Sequence, residues 1–365
     1  MNTKEKDFRP IISFHPGKTL NNKLNEMEMG VKEFSVRTGK PEKTIFAVLN
    51  GDSSVTSDMA IIFENVTGIP ARFWLAKQKN YDEFLSRKKQ EELMASASAW
   101  AKKFPVSEMV NKGWIAPGKT YAEKIQSLLA FFGVASQAAW EDYYLNQTLK
   151  VAFRISLKST KDPYAISAWL RRGELQAAEM QLDTPYNAET LKNSIPQIRE
   201  IIAKHPADFF EQLRIWCAKC GVKLVFTPCL KKAPINGATR WINNTPVIQI
   251  SGRYKKNDIF WFSFFHEVGH ILLHGKKDIF LENVDYDEKQ KDLEKEADAF
   301  AEKSLLTKAE EAQLMALEAF FSRAEIKSFA QKIGTHPAII VGRLHHLKKI
   351  QYNMFNDLIE HITLS

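Results

Sequence analysis

Two histidines four residues apart, with a carboxylate directly after the first, are the residues of this chain best suited to chemistry: His266-Glu267-Val268-Gly269-His270. On a helix the two imidazoles share one face and can chelate a zinc ion, while Glu267 points at water held by the metal. The flanks predict that helix. An apolar run from Asp258 to Phe265 leads into the motif, Ile271-Leu-Leu continues it, and Gly275 is placed to stop it. So apolar a run places the metal face inside the protein.

A tetrahedral catalytic zinc needs a third protein ligand and leaves its fourth position to water. The segment Leu293 to Leu306 reads as a second helix, with Leu293, Ala297, Phe300 and Ala301 at inward spacing. Glu294 and Asp298 lie four apart on a common face. Glu294 is expected as the third ligand, and Asp298 as the acceptor that orients a ligand histidine through its other ring nitrogen. Glu296 points about 200° away from Glu294 around the helix and is the alternative ligand. His274 repeats the spacing after His270, but it lies about 12 Å along the axis from His266 and cannot share one ion with it. A helix-end histidine favoured by the dipole is expected there.

That ligand set implies hydrolysis of a peptide bond. Zinc lowers the pKa of its bound water and polarises a carbonyl, and Glu267 would take the water's proton and pass it to the leaving amine. Arg253, Tyr254 and Tyr286 lie near the motifs and are candidates to stabilise the oxyanion.

Further residues sharpen the family. Ala233-Pro-Ile-Asn-Gly-Ala-Thr-Arg-Trp-Ile, Thr245-Pro-Val-Ile-Gln-Ile-Ser-Gly-Arg, the stretch Trp261 to His274 and the Glu294 to Ala301 helix closely resemble the ImmA/IrrE-type zinc peptidase domain, over about residues 205 to 306. The resemblance implies zinc ligation by His266, His270 and Glu294, with Glu267 as the catalytic residue. It also implies action on a repressor or antitoxin in preference to general digestion.

A second signal stands at the other end of the chain. From Met29 to Gly51 the sequence has the layout of a helix-turn-helix. Phe34 and Val36 are expected to pack a short first helix, Gly39 to make the turn, and a second helix to run from about Pro41 to Asn50. Ile45, Val48 and Leu49 would anchor that helix, leaving Lys40, Lys43, Thr44 and Phe46 facing outward to meet a DNA major groove. With the surrounding segments, about residues 12 to 85 resemble the HigA-type antitoxins of the Xre class of DNA-binding domains. The sequence departs from the usual pattern at Val31, Pro41 and Ala47, where glutamine, serine and arginine are common, and so lacks part of the usual DNA-contact set.

Composition frames both readings. The chain has 365 residues, 44% of them hydrophobic, enough for two or three domains with real cores. No apolar run approaches a membrane span, and the N-terminal residues carry no apolar signal region, so a cytoplasmic location without membrane association is expected. A net charge of +8 favours nucleic acid, yet residues 282 to 302 hold 9 acids against 3 lysines. Three cysteines argue against a disulfide scaffold, and Cys217 and Cys220 are expected to be buried thiols.

The expected fold class is mainly α with a small β-sheet (α+β). It comprises a lambda-repressor-like helix-turn-helix bundle over 1–85, a helical connector over 86–149, a zincin-like metallopeptidase domain over 150–306 and a helical extension over 307–365. Within these, a strand is expected over Lys150 to Ser156, and helices near Tyr164 to Gln181, Ala188 to Ala203 and Pro206 to Lys219. The segment from Thr335 to Leu347 resembles a small helix-turn-helix whose Arg343, His345, His346, Lys348 and Lys349 add positive charge, but packing on the peptidase domain is expected of it. Expected partners are operator DNA and a cognate toxin or repressor as binding partner or substrate, with the chain a homodimer and Zn2+ its cofactor. Two readings remain: a DNA-binding regulator or antitoxin whose C-terminal half is an active zinc endopeptidase, or a binding protein in which the peptidase fold serves only as a scaffold for a toxin or ligand. The intact Glu267 favours the first, because a scaffold needs no general base beside two ligands.

Overall fold

A computed structural model describes residues 13–152, 162–275, 280–281, 288–317 and 322–364. The chain divides into two units, Met1–Ala97 and Ser98–Ser365.

The first unit is helical: α1 (Pro16–Glu26), α2 (Val31–Thr38), α3 (Glu42–Asn50), α4 (Ser57–Thr67) and α5 (Ala71–Ala101), the last running past the unit's end. Pro41 stands just before α3, and Gly39 makes the turn between α2 and α3 with φ 65°, a left-handed conformation that side chains with a Cβ resist. Leu20, Phe34, Ile45, Val48, Phe63 and Trp74 form the core, with Leu49 packed at its border. Val36, expected to pack beside Phe34, is instead 78% exposed. Positions two apart on a helix point about 200° apart, so one of the pair must face away from the core.

The second unit starts with α6 (Val106–Asn111), α7 (Tyr121–Phe132) and α8 (Gln137–Trp140), which passes into a wide helix of π type over Glu141–Ala152. Rings from these helices converge: Trp140 packs edge-on against Trp100, Phe104 and Phe132 and stacks on Tyr164 at 5.0 Å. The strand expected from Lys150 does not begin there. Lys150, Val151 and Ala152 continue the helix that Trp140 and Tyr144 anchor, and 153–156 lie outside the described residues.

Four helices, α9 (Pro163–Glu179), α10 (Ala188–Asn193), α11 (Ile195–Lys204) and α12 (Phe209–Lys219), precede a small mixed sheet of β1 (Lys223–Phe226), β2 (Gly237–Ile242), β3 (Thr245–Ile250) and β4 (Phe280–Leu281) in the order β1-β3-β2-β4. β1 runs parallel to β3, while β2 and β3 form a hairpin pairing Ile242 with Thr245. Asn243 and Asn244 turn it with φ of 48° and 65°, the doubly positive geometry that suits the twist of a two-residue hairpin. Helix α9 is tied to the sheet by polar contacts: Trp169 Nε1 donates to the Thr227 carbonyl (2.8 Å), and Arg240 from β2 donates to the Leu170 carbonyl (2.6 Å) and pairs with Glu174 (2.8 Å).

Helix α13 (Asn257–Leu273) also packs on β2 and β3, and α14 (Glu288–Leu305) runs antiparallel beside it. Trp261, Phe264 and Phe265 of α13 are wholly buried, which fixes the rotation of the helix that carries the histidine pair. Helices α15 (Lys308–Met315), α16 (Arg323–Ile333) and α17 (Pro337–His346) complete the unit. Arg343 of α17 pairs with Glu302 of α14 (2.6 Å) and Glu311 of α15 (2.7 Å), and Ile340, Val341 and Leu344 are buried, so α17 packs against its neighbours. The class is α+β, mostly helical with a small sheet. Among the described residues no helix is long and apolar enough to cross a membrane.

Candidate metal centre

His266, Glu267 and His270 sit in the middle of α13, each at most 2% exposed. Helical spacing sets both imidazoles on the side facing α14, where Glu294 comes up opposite them. His266 Nε2 lies 2.9 Å from His270 Nε2, and the Glu294 carboxylate is 3.2 Å from the first and 3.4 Å from the second. Among the described residues this is the group of histidine, cysteine and acidic side chains close enough to hold a metal ion. Ligand atoms about 2.0–2.1 Å from a tetrahedral zinc are roughly 3.3 Å apart, and these separations fall around that value.

The outer ring nitrogens show how such a set would be oriented. His266 Nδ1 is 2.8 Å from Asp298 Oδ1, a contact that places the proton on Nδ1 and leaves the Nε2 lone pair turned inward. His270 is oriented through a second histidine. Its Nδ1 is 3.0 Å from His274 Nδ1, and His274 Nε2 is 3.2 Å from Glu296 Oε2. With the proton of His270 on Nδ1, His274 accepts there and donates from Nε2 to Glu296, and His270 Nε2 also turns a lone pair inward. Burial foremost, then the neighbouring His266 and His274, hold the pKa of His270 far below the ordinary imidazole range, so it is neutral, the form that binds metal. Two inward lone pairs and a carboxylate within about 3 Å repel one another until a cation sits between them. The donor set therefore fits zinc.

Two glycines make room. A Cβ at Gly237, the first residue of β2, would lie 2.5 Å from Glu267 Oε1, so this position shapes the space of the carboxylate. A Cβ at Gly269 would stand 3.2 Å from the Ala297 Cα and the Phe300 ring, so the missing side chain lets α14 come close. Thr239 Oγ1 donates to the Glu267 carbonyl (3.1 Å) and ties α13 to β2.

The structure thus brings together His266, His270 and Glu294, with Glu267 between the histidines on the same helix and Asp298 behind His266. Glu296 is directed to His274 and stands apart from the cluster. His274, read from sequence as a helix-end residue, caps α13 and links His270 to Glu296. A repeat of the four-residue spacing was the one sequence signal for that contact, and Gly237 carried none. Arg253 is exposed and donates to the Pro234 carbonyl (2.9 Å), Tyr254 packs on Arg253, and Tyr286 lies outside the described residues. Cys217 and Cys220 are buried thiols as expected. Burial pushes both thiols up, and Cys220 lies 3.3 Å from Ser194 Oγ. In the first unit Lys43 and Phe46 of α3 are exposed, while Thr44 and the preceding Lys40 are half-buried.

A histidine pair on a buried helix, faced by a glutamate from an antiparallel helix beside a small mixed sheet, is an arrangement that could hold a metal ion. Residues 217–328 match the IrrE N-terminal-like domain, family Peptidase_M78. No curated relative matches the chain. Among solved structures, an antidote protein of a plasmid maintenance system from Nostoc punctiforme aligns at 28% identity over 22% of this chain and 90% of that one, with a TM-score of 0.22. An addiction module antidote protein of the HigA family from Coxiella burnetii aligns at 28% identity over 24% of this chain and 95% of that one, also with a TM-score of 0.22.

Proposed function

We propose that the chain is a DNA-binding regulator of the antitoxin type whose second unit is a zinc-dependent endopeptidase acting on one regulatory protein. The observation that carries the reading is the convergence of His266, His270 and Glu294 within 3.4 Å, with the buried Glu267 directly after His266 on the same helix. Zinc held there by His266, His270 and Glu294 would supply a Lewis acid and an activated water. Glu267 would serve as the general base toward water and as the acid toward the leaving amine. Asp298 and the His274–Glu296 pair keep both ligand histidines in the metal-binding tautomer. Helix α3 supports the regulator half, since its outward Lys43 and Phe46, with Thr44 and Lys40 beside them, form the face that would approach operator DNA.

Zinc content of the wild type and of His266→Ala, together with cleavage of candidate partner proteins by the wild type and Glu267→Gln, tests the enzyme. One zinc per chain, lost in His266→Ala, and cutting abolished in Glu267→Gln are expected. Full zinc occupancy without cleavage of any partner or of the chain itself would overturn the endopeptidase and leave a metal-bound scaffold.

A further inference from the structure

A cavity of about 330 Å³ opens between α13, α14 and α17, within the second unit. Ile259, Phe262, Leu305, Leu306 and Ile339 give it an apolar wall. It adjoins the metal centre, because the Phe262 ring stands 6.3 Å from the ring of His266 and Ser263 precedes Glu267 by one helical turn. Ser263 Oγ, on a side chain 2% exposed, and Asp258 Oδ1 both belong to this lining and have no hydrogen-bond partner among the described residues. Close approach of α17 to the carboxylate depends on Gly342, where a Cβ would lie 2.9 Å from Asp258 Oδ2.

Charge decides what the cavity would accept. Its arginine, Arg343, is already held by Glu302 and Glu311. Asp258 forms no ion pair among the described residues, and burial pushes its carboxyl up against the weaker pulls of its own helix N-terminus, Lys256 and His345. A carboxylate kept from water without a countercharge is costly, and a cation brought to it removes that cost. An aliphatic stem ending in a positive charge matches the apolar wall and the acid together.

We propose that this cavity receives a lysine or arginine side chain of the protein substrate, with its stem against Phe262, Leu305 and Ile339 and its cationic head on Asp258 and Ser263. The inference rests on the endopeptidase reading. Asp258 lies eight residues before His266, about 12 Å along the helix. A substrate residue one or two positions from the scissile bond spans that distance, at about 3.3 Å per extended residue plus its own side chain.

The test uses the full-length, zinc-loaded chain carrying Glu267→Gln, which binds without cutting, and two dye-labelled peptide pools that differ only in lysine or norleucine at one position. Anisotropy is expected to show about tenfold tighter binding of the lysine pool, as a charge-assisted contact gives. That ratio should collapse toward one when Asp258→Asn is added. Equal binding of the two pools, no binding at millimolar peptide, or a preference retained in Asp258→Asn would overturn the assignment. Restoring Glu267 separates the two claims, because lysine-selective binding without cleavage keeps the pocket and refutes the peptidase.

Discussion

Removing the Asp298 carboxylate perturbs the metal centre without touching a ligand. Its Oδ1 sits 2.8 Å from His266 Nδ1, so in Asp298→Ala the ring loses the partner that fixes its tautomer and rotation. Partners of this kind change metal affinity by about 10–100-fold. Asp298 is 51% exposed, and water can replace part of the contact, so the lower end is expected: about tenfold, or about 1.4 kcal/mol. Competition with a zinc chelator of known affinity measures it on the full chain. Glu294→Ala should cost more, because it deletes a donor atom from the cluster. Glu296→Ala should cost less, because it acts on His270 only through His274. Zinc bound as tightly by Asp298→Ala as by the wild type, or a larger loss in Glu296→Ala than in Glu294→Ala, would refute this account of the site.

Two other expectations follow from the geometry. Gly237→Ala puts a methyl 2.5 Å from Glu267 Oε1, and the carboxylate must shift by close to 1 Å to restore ordinary contact; turnover should fall about 100-fold at unchanged zinc content, and a wild-type rate or a loss of metal would each contradict it. His205 and His336 share Asn257 and Glu360 as neighbours, and burial holds both below the ordinary imidazole pKa despite the opposing pull of Glu360. Their stabilising contribution is therefore present above about pH 6.5 and is lost as pH falls, because the unfolded chain takes up protons that the native chain does not. Urea melts between pH 7.5 and 5.5 should lose less stability in His336→Gln than in the wild type, and equal losses would sink the idea.

Helical spacing made half of the metal centre legible beforehand. His266 and His270 had to share a face, as did Glu294 and Asp298, and the apolar run around the motif had to bury it. What spacing could not say is which far segment comes to lie against that face. The choice between Glu294 and Glu296 depended on the rotation of α14, which Ala297 and Ala301 settle by packing inward. Gly237 reaches Glu267 through the sheet, and Asp258 meets α17 from more than 80 residues away, so neither relation leaves a local pattern. Val36 is apolar and two residues from a core phenylalanine, a pattern that suggests core, but helical geometry sets the two on opposite sides. At Lys150 a short apolar alternation suggested a strand, but the helix anchored by Trp140 continues through it.

Because Gly269 has no side chain, the Ala297 backbone and the Phe300 ring of α14 pack directly on α13, and that contact sets the gap across which Glu294 faces the histidines. Flexible ligand side chains alone would adjust to ions of several radii. Two helices held at a fixed separation act as a calliper, which on the zinc reading proposed above would size the cluster for a small ion. Discrimination between metals would then be written partly into a residue that is not itself a ligand.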